Sequence, residues 1–274
     1  MDRLINFLKN IIPLKLKIFL IYLKNINHNP YSLWAMFNPP DNLSDLFVLD
    51  NECEKVVFIA ENIRAIMLGR EVNVIHNFKF FSMEGVFLGK QTFEAKSFLS
   101  KITLKSFHTN DKYISFIHYV DSDISSKDIL LEKKLYKQNK FKELNRGYSI
   151  FYPFNFSVGS AVHGNFGGIT KDLVKTARRT LAKHIYTPIY KFDENSQYDI
   201  VFNNPTNTFI NINLIFNNSF KKIKLTIPSL GTQFVRIDKY CGSLSFESRL
   251  PICRALVFKN PTPNNKGNLD VFHS

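Results

Sequence analysis

Residues 198–238 read YDIVFNNPTNTFININLIFNNSFKKIKLTIPSLGTQFVRID, and they decide the fold. Within FININLIF (209–216) polar and apolar side chains alternate one by one over 210–214, and within KKIKLTIP (221–228) over 222–227. A strand sends successive side chains to opposite faces, whereas a helix needs its apolar residues three or four apart. The runs are broken by Asn-Pro, Asn-Asn and Ser-Leu-Gly, which are turn-forming combinations. Short alternating runs at such intervals predict a β-sandwich.

The pattern continues on both sides. HIYTPIYKF, SLSFES and CRALVFKN complete a carboxy-terminal block, placed here at residues 184–274. A first β-rich block is expected over residues 51–169, in KVVFIA (55–60), VNVIHNFKFF (72–81), GVFLGKQTFEA (85–95), SKITLKSF (100–107), YISFIHYV (113–120) and YSIFYPFNFSV. ENIRAIMLG predicts one short helix closed by Gly69. The charged stretch 125–148 reads equally as strand or helix, and ITKDLVKTARRTLAKH (169–184) as a helix of net charge +4 between the blocks. Each block has a strand pair, a Lys-rich crossing and a His-bearing end, which fits an old duplication. The fold class expected is mainly β: two β-sandwich-like domains behind an amphipathic amino-terminal helix.

Residues 198–259 resemble the small β-sandwich of the sensory rhodopsin transducer family. The resemblance rests on an Asn-containing turn before an alternating strand, the LTIP strand (225–228), the Val-Arg strand (235–236) and SRLPICRALVFKN. It covers about a quarter of the chain and implies a fold, not a function.

Residues 1–50 form a separate segment. MDRLINFLKNIIPLKLKIFLIYLKNIN places Leu4, Leu8, Ile11, Phe19 and Leu23 away from Asn6, Asn10, Pro13, Lys17 and Lys24 at helical period. This predicts a basic amphipathic helix over residues 3–24, kinked at Pro13, in a segment (1–27) of net charge +4. Lys15 and Lys17 interrupt the apolar run, and no small-residue cleavage site follows, so the segment does not read as a secretory signal. Its uninterrupted apolar run, 18–23, is far short of the roughly 20 residues a span needs. Residues 1–27 are expected to pack on the protein, on a second copy as a homo-oligomer, or on an anionic membrane surface. A Pro/Asn-rich connector, residues 28–47, follows.

Thirty-six Lys and Arg against 23 Asp and Glu leave a net charge of +13, which favours an anionic partner. The abundance of Lys, Asn and Ile fits a merely solvated basic surface equally well. Cys53, Cys241 and Cys253 lie far apart without a CxxC pair, which points to a reducing, cytoplasmic setting, membrane-peripheral if the first helix meets lipid. With 27 Phe and 11 Tyr the chain has ample material for a packed core.

Chemistry concentrates in SAVHGNFGG (160–168). Gly164, Gly167 and Gly168 allow close backbone approach, so His163, Gly164, Asn165, Gly167 and Gly168 read either as a strand-reversing turn or as a ligand ledge. Arg178 and Arg179 on the following basic segment would complete an anion- or sugar-binding site. The spacing matches neither GxGxxG nor a phosphate loop, and no GxSxG elbow exists. His76, His118, His163 and His273 sit in apolar strand sequence, but no HxH or HExxH spacing marks a metal site. No metal and no cofactor are expected. The function expected is non-enzymatic recognition or assembly with an anionic or carbohydrate partner, at the membrane surface if residues 1–27 bind lipid. The alternative is an enzyme acting on a sugar or phosphorylated small molecule through His163 and nearby histidines. Nucleic-acid binding comes third, because no recognised motif supports it.

Overall fold

The computed structural model describes residues 43–124, 128–129, 144–145, 147–153, 159–164, 184–187, 190–204, 209–219, 221–248, 255–260 and 270–273, with Pro13 and Leu16. Of these, 59% are strand and 6% helix, so the chain is mainly β. Apart from Pro13, Leu16 and His184, which begins a strand, the helices expected over 3–24 and 169–184 lie outside the described residues.

Four four-stranded antiparallel sheets carry the fold. The first runs β2 (Leu46–Asp50), β7 (Tyr113–Asp121), β4 (Val74–Phe81), β5 (Phe87–Ala95). The second runs β10 (Ser160–His163), β9 (Gly147–Tyr152), β3 (Lys55–Glu61), β6 (Leu99–Leu104). The third runs β11 (His184–Tyr186), β16 (Leu244–Ser248), β13 (Ile210–Phe216), β14 (Lys222–Ile227). The fourth runs β15 (Thr232–Ile237), β12 (Gln197–Asn203), β17 (Leu256–Asn260), β18 (Asp270–His273). A parallel pair, β1 (Leu43–Ser44) with β8 (Leu144–Asn145), stands beside them. The short helix α1 (Ile63–Leu68) starts where the Asn62 side chain accepts from the Ala65 amide at 3.1 Å, and it ends on Gly69 at φ 71°.

The first two sheets face each other across Phe47, Phe58, Phe78, Phe80, Phe116 and Phe151. Phe58 stands edge-on to Phe47 at 4.8 Å and to Phe78 at 5.3 Å. Such ring pairs add about 0.5–1.5 kcal/mol each beyond burial. The other two sheets enclose Tyr198, Ile200, Phe202, Ile212, Leu214 and Phe246.

Strand β12, expected as one of the short strands, is buried at all but its first residue. Tyr198, Ile200 and Phe202 enter the second core, while Val201 joins Leu256, Phe258 and Val271 in the first. The fourth sheet is therefore buried on both faces. Among the polar residues this forces inward, the Asn203 side-chain amide donates to the Leu46 carbonyl at 2.8 Å.

Two tight turns add a clasp between the blocks. The Thr232 amide donates to the Met83 carbonyl at 3.0 Å, and the Ser115 hydroxyl donates to the Leu230 carbonyl. A Cβ on Gly85 would overlap the Ser229 carbonyl oxygen, and one on Gly231 would overlap that of Met83. Backbone lies directly on backbone here.

Strand begins earlier than the alternation indicates. LFVLD (46–50), straddling the end of the expected connector, is β2, and every one of its residues is buried. SAVH is likewise a strand, with Val162 opposite Ser149 and His163 opposite Tyr148.

Candidate functional site

His163 ends β10 with its side chain exposed and its ring edge-on to Tyr148 at 5.9 Å. At Gly164 a Cβ would lie 2.7 Å from a Phe47 ring carbon and 2.9 Å from the Leu46 carbonyl oxygen. That glycine lets the chain pass closely over β2. Asn165, Gly167, Gly168, Arg178 and Arg179 lie outside the described residues. Among the described residues no group of three or more His, Cys, Asp or Glu side chains is placed to hold a metal ion.

The described residues converge elsewhere, on the outer face of the first sheet. Cross-strand register sets nine side chains in three rows. Glu94, Ile75 and Asp121 form the first row, Thr92, Asn77 and Tyr119 the second, and Lys90, Lys79 and Ile117 the third. Rows one and three are four residues apart, roughly 13 Å at about 3.3 Å per residue. Carboxylates thus stand at one end of the face and ammonium groups at the other.

A cleft of about 500 Å³ opens at the acidic end, where Glu94 and Asp121 are joined by Asn73, Lys96, Ser122 and Asp123. Asn77 donates to the Asp121 carboxylate at 2.8 Å and to the Ile75 carbonyl at 3.1 Å, fixing the acid across β4 and β7. The Lys79 ammonium lies 5.2 Å from the Tyr119 ring centre. Ile75 adds an apolar spot, 42% exposed. Carboxylates accept from hydroxyl groups, ammonium groups donate to them, and an aromatic or aliphatic surface takes the C–H face of a sugar ring.

A second polar cluster is buried between the blocks. Asp199, fully inaccessible, accepts from Arg236 Nε at 2.8 Å, Arg236 Nη2 at 3.0 Å, Lys112 Nζ at 3.0 Å and the Tyr113 hydroxyl at 2.8 Å. Burial alone would raise its pKa, but these partners outweigh it and hold the carboxyl below the usual range. Asp50, close by, is pushed up to about 6 by burial, against the pull of Lys112. The neighbouring Cys53 thiol is driven far upward by burial and then by Asp50, so it stays protonated and is a poor nucleophile. Lys112 and Tyr113 reach Asp199 across the junction, while Arg236 meets it from the neighbouring strand of its own sheet, which suits structural cohesion.

His76 and His118, which the sequence left to tertiary convergence, do meet. They face inward behind the grid and bond to each other, not to His163.

Fold and site define a mainly β protein with a charge-segregated polar sheet face. No family model matches the chain, and a search of curated proteins finds no match for it. Among the described residues no helix is long and apolar enough to cross a membrane.

Proposed function

We propose that the protein is a non-enzymatic recognition module, two β-sandwich-like units joined into one body, that binds a carbohydrate on the outer face of the β2-β7-β4-β5 sheet. The observation that carries this reading is the nine-residue grid with its cleft of about 500 Å³. Hydroxyl acceptors sit in the cleft, Tyr119 in the middle row, and Lys79 with Lys90 opposite each other in the third. Like charges placed directly opposite on neighbouring strands repel. An acidic substituent on the glycan would relieve that repulsion, so the lysines accommodate a sugar carrying carboxylate or sulfate groups.

A glycan microarray probed at pH 7.5 tests the reading. The native chain should bind a restricted set of glycans. Glu94→Ala with Asp121→Ala should weaken that binding at least tenfold, since each loses a charged hydrogen bond worth about 1.5–3 kcal/mol and tenfold corresponds to about 1.4 kcal/mol. Lys222→Ala with Lys224→Ala, on the far sheet, should leave it unchanged. No bound glycan, or binding untouched by the first pair, removes the proposal.

A further inference from the structure

Behind the grid lies a hydrogen bond that an ordinary core would not contain. His76 Nδ1 and His118 Nε2 are 2.9 Å apart, the rings nearly parallel at 26°, and both residues are wholly inaccessible. The surroundings are aromatic. Phe78 lies 4.9 Å and Phe58 5.1 Å from the His118 ring, while Phe93 and Val120 stand opposite His76 in the register. The charged and titratable residues of these strands do not face the pair. Glu94, Asp121, Lys79, Lys90 and Tyr119 occupy the outer face, and Lys55 and Glu61 sit at the two ends of β3.

We infer that the His76–His118 pair is an acid-operated latch under the grid, holding the carbohydrate face assembled at neutral pH and releasing it on acidification. The inference rests on the recognition reading above for what is released, but the latch has its own signature.

At neutral pH one proton lies between the rings, so one nitrogen donates and the other accepts. The next proton must go to a ring nitrogen facing the core, such as His76 Nε2, which is buried without a hydrogen-bond partner. It would create an unsolvated cation beside a ring that cannot neutralise it. The pair escapes only if β4 and β7 part to admit water. Those are the strands that the Asn77–Asp121 bond ties together, and they bear rows one to three. Burial holds the His76 pKa down to about 4. The neutral pair therefore favours the folded state fully above the unfolded value of about 6.5, and this contribution is lost as the pH falls from there through about 4.

The experiment has two arms. In the first, ¹⁵N-histidine-labelled full-length protein is titrated by NMR from pH 7.5 to 4.0, with amide hydrogen exchange followed along β4 and β7. Two rings should remain neutral at pH 6, and their later protonation should coincide with at least tenfold faster exchange at residues 76–79 and 117–121. If both rings instead protonate near 6.5 with exchange unchanged, the latch does not exist. In the second arm the glycan array is read at pH 7.5 and 5.0, where binding should fall at least tenfold. The His76→Asn/His118→Asn variant should retain within twofold of its own pH 7.5 binding. Equal pH loss in the variant overturns the latch. An array blank at pH 7.5 defeats the recognition reading alone, since the first arm needs no ligand.

Discussion

Gly85→Ala should lower stability by about 3–5 kcal/mol, seen as a lower urea midpoint at unchanged slope. Two effects combine. At φ 76° an L side chain costs roughly 1–2 kcal/mol. The new Cβ would also overlap the Ser229 carbonyl oxygen, which belongs to backbone and cannot rotate aside. Turn 228–231 must then retreat, taking with it the Thr232 amide bond to Met83 and the Ser115 hydroxyl bond to Leu230. Buried groups left unmade cost about 1–3 kcal/mol each. Gly69 provides the control, because its φ is 71° yet a Cβ there meets nothing within 4 Å. Gly69→Ala should cost about 1–2 kcal/mol, from the conformational part alone. If the two substitutions cost the same, the clasp contributes nothing and the blocks are held by the shared sheet only.

How much of this the sequence discloses follows from what each residue answers to. FININLIF and KKIKLTIP are half-buried strands, and their alternation shows it directly: Ile210, Ile212 and Ile227 are buried while Thr226 and Lys222 are exposed. The short helix is legible because Asn62 and Gly69 solve a local problem, the unpaired backbone groups at its two ends. Strand β12 is legible as a strand, but its second buried face is created by another block, and no local period records that. Gly85 and Gly231 read as ordinary turn glycines; what requires them is a contact 144 or more residues away along the chain. Gly164 was legible as a place of close approach, but its neighbour, Phe47, was not. The grid is hidden for a similar reason. Its nine members are spread from Ile75 to Asp121, and only register brings Glu94, Asp121 and Tyr119 together. Chemistry clustered along the sequence points to SAVHGNFGG instead. The usable signal is quieter: on the face of β4, β5 and β7 that points away from the phenylalanine core, polar residues outnumber apolar ones, seven of the nine grid positions.

Asp199→Ala should be the other severe substitution, also costing about 3–5 kcal/mol, as removing one partner of a buried ion pair generally does. The loss comes mainly from what stays behind. Lys112, with a side chain 13% exposed, would keep the attraction of Asp50 and the ion pair with Glu52, at 3.0 Å and itself 66% exposed, and the inaccessible Tyr113 hydroxyl would lose its acceptor. Arg236→Ala should cost clearly less, because its guanidinium side chain is 44% exposed and Asp199 would retain Lys112 and Tyr113. Acid titration separates the charge from the packing. Asp199 has its pKa depressed in the folded state, with Arg236, Lys112 and Tyr113 outweighing burial. Its contribution is therefore complete above the unfolded carboxyl value of about 3.9 and disappears as the pH falls through the lower folded value. Below pH ~4 the native chain should lose stability more steeply than Asp199→Asn, which lacks that titration; between about 6.5 and 4 both carry the loss from the histidines, opposed by Asp50, whose carboxyl burial raises to about 6 in the folded state. Urea unfolding of the native chain and the three variants at pH 7.5, 5 and 3 gives both comparisons. An Asp199→Ala midpoint close to native at pH 7.5 would mean that the junction is held by Val201, Leu256 and Phe258 packing against the first core, with the charges merely solvated at its edge.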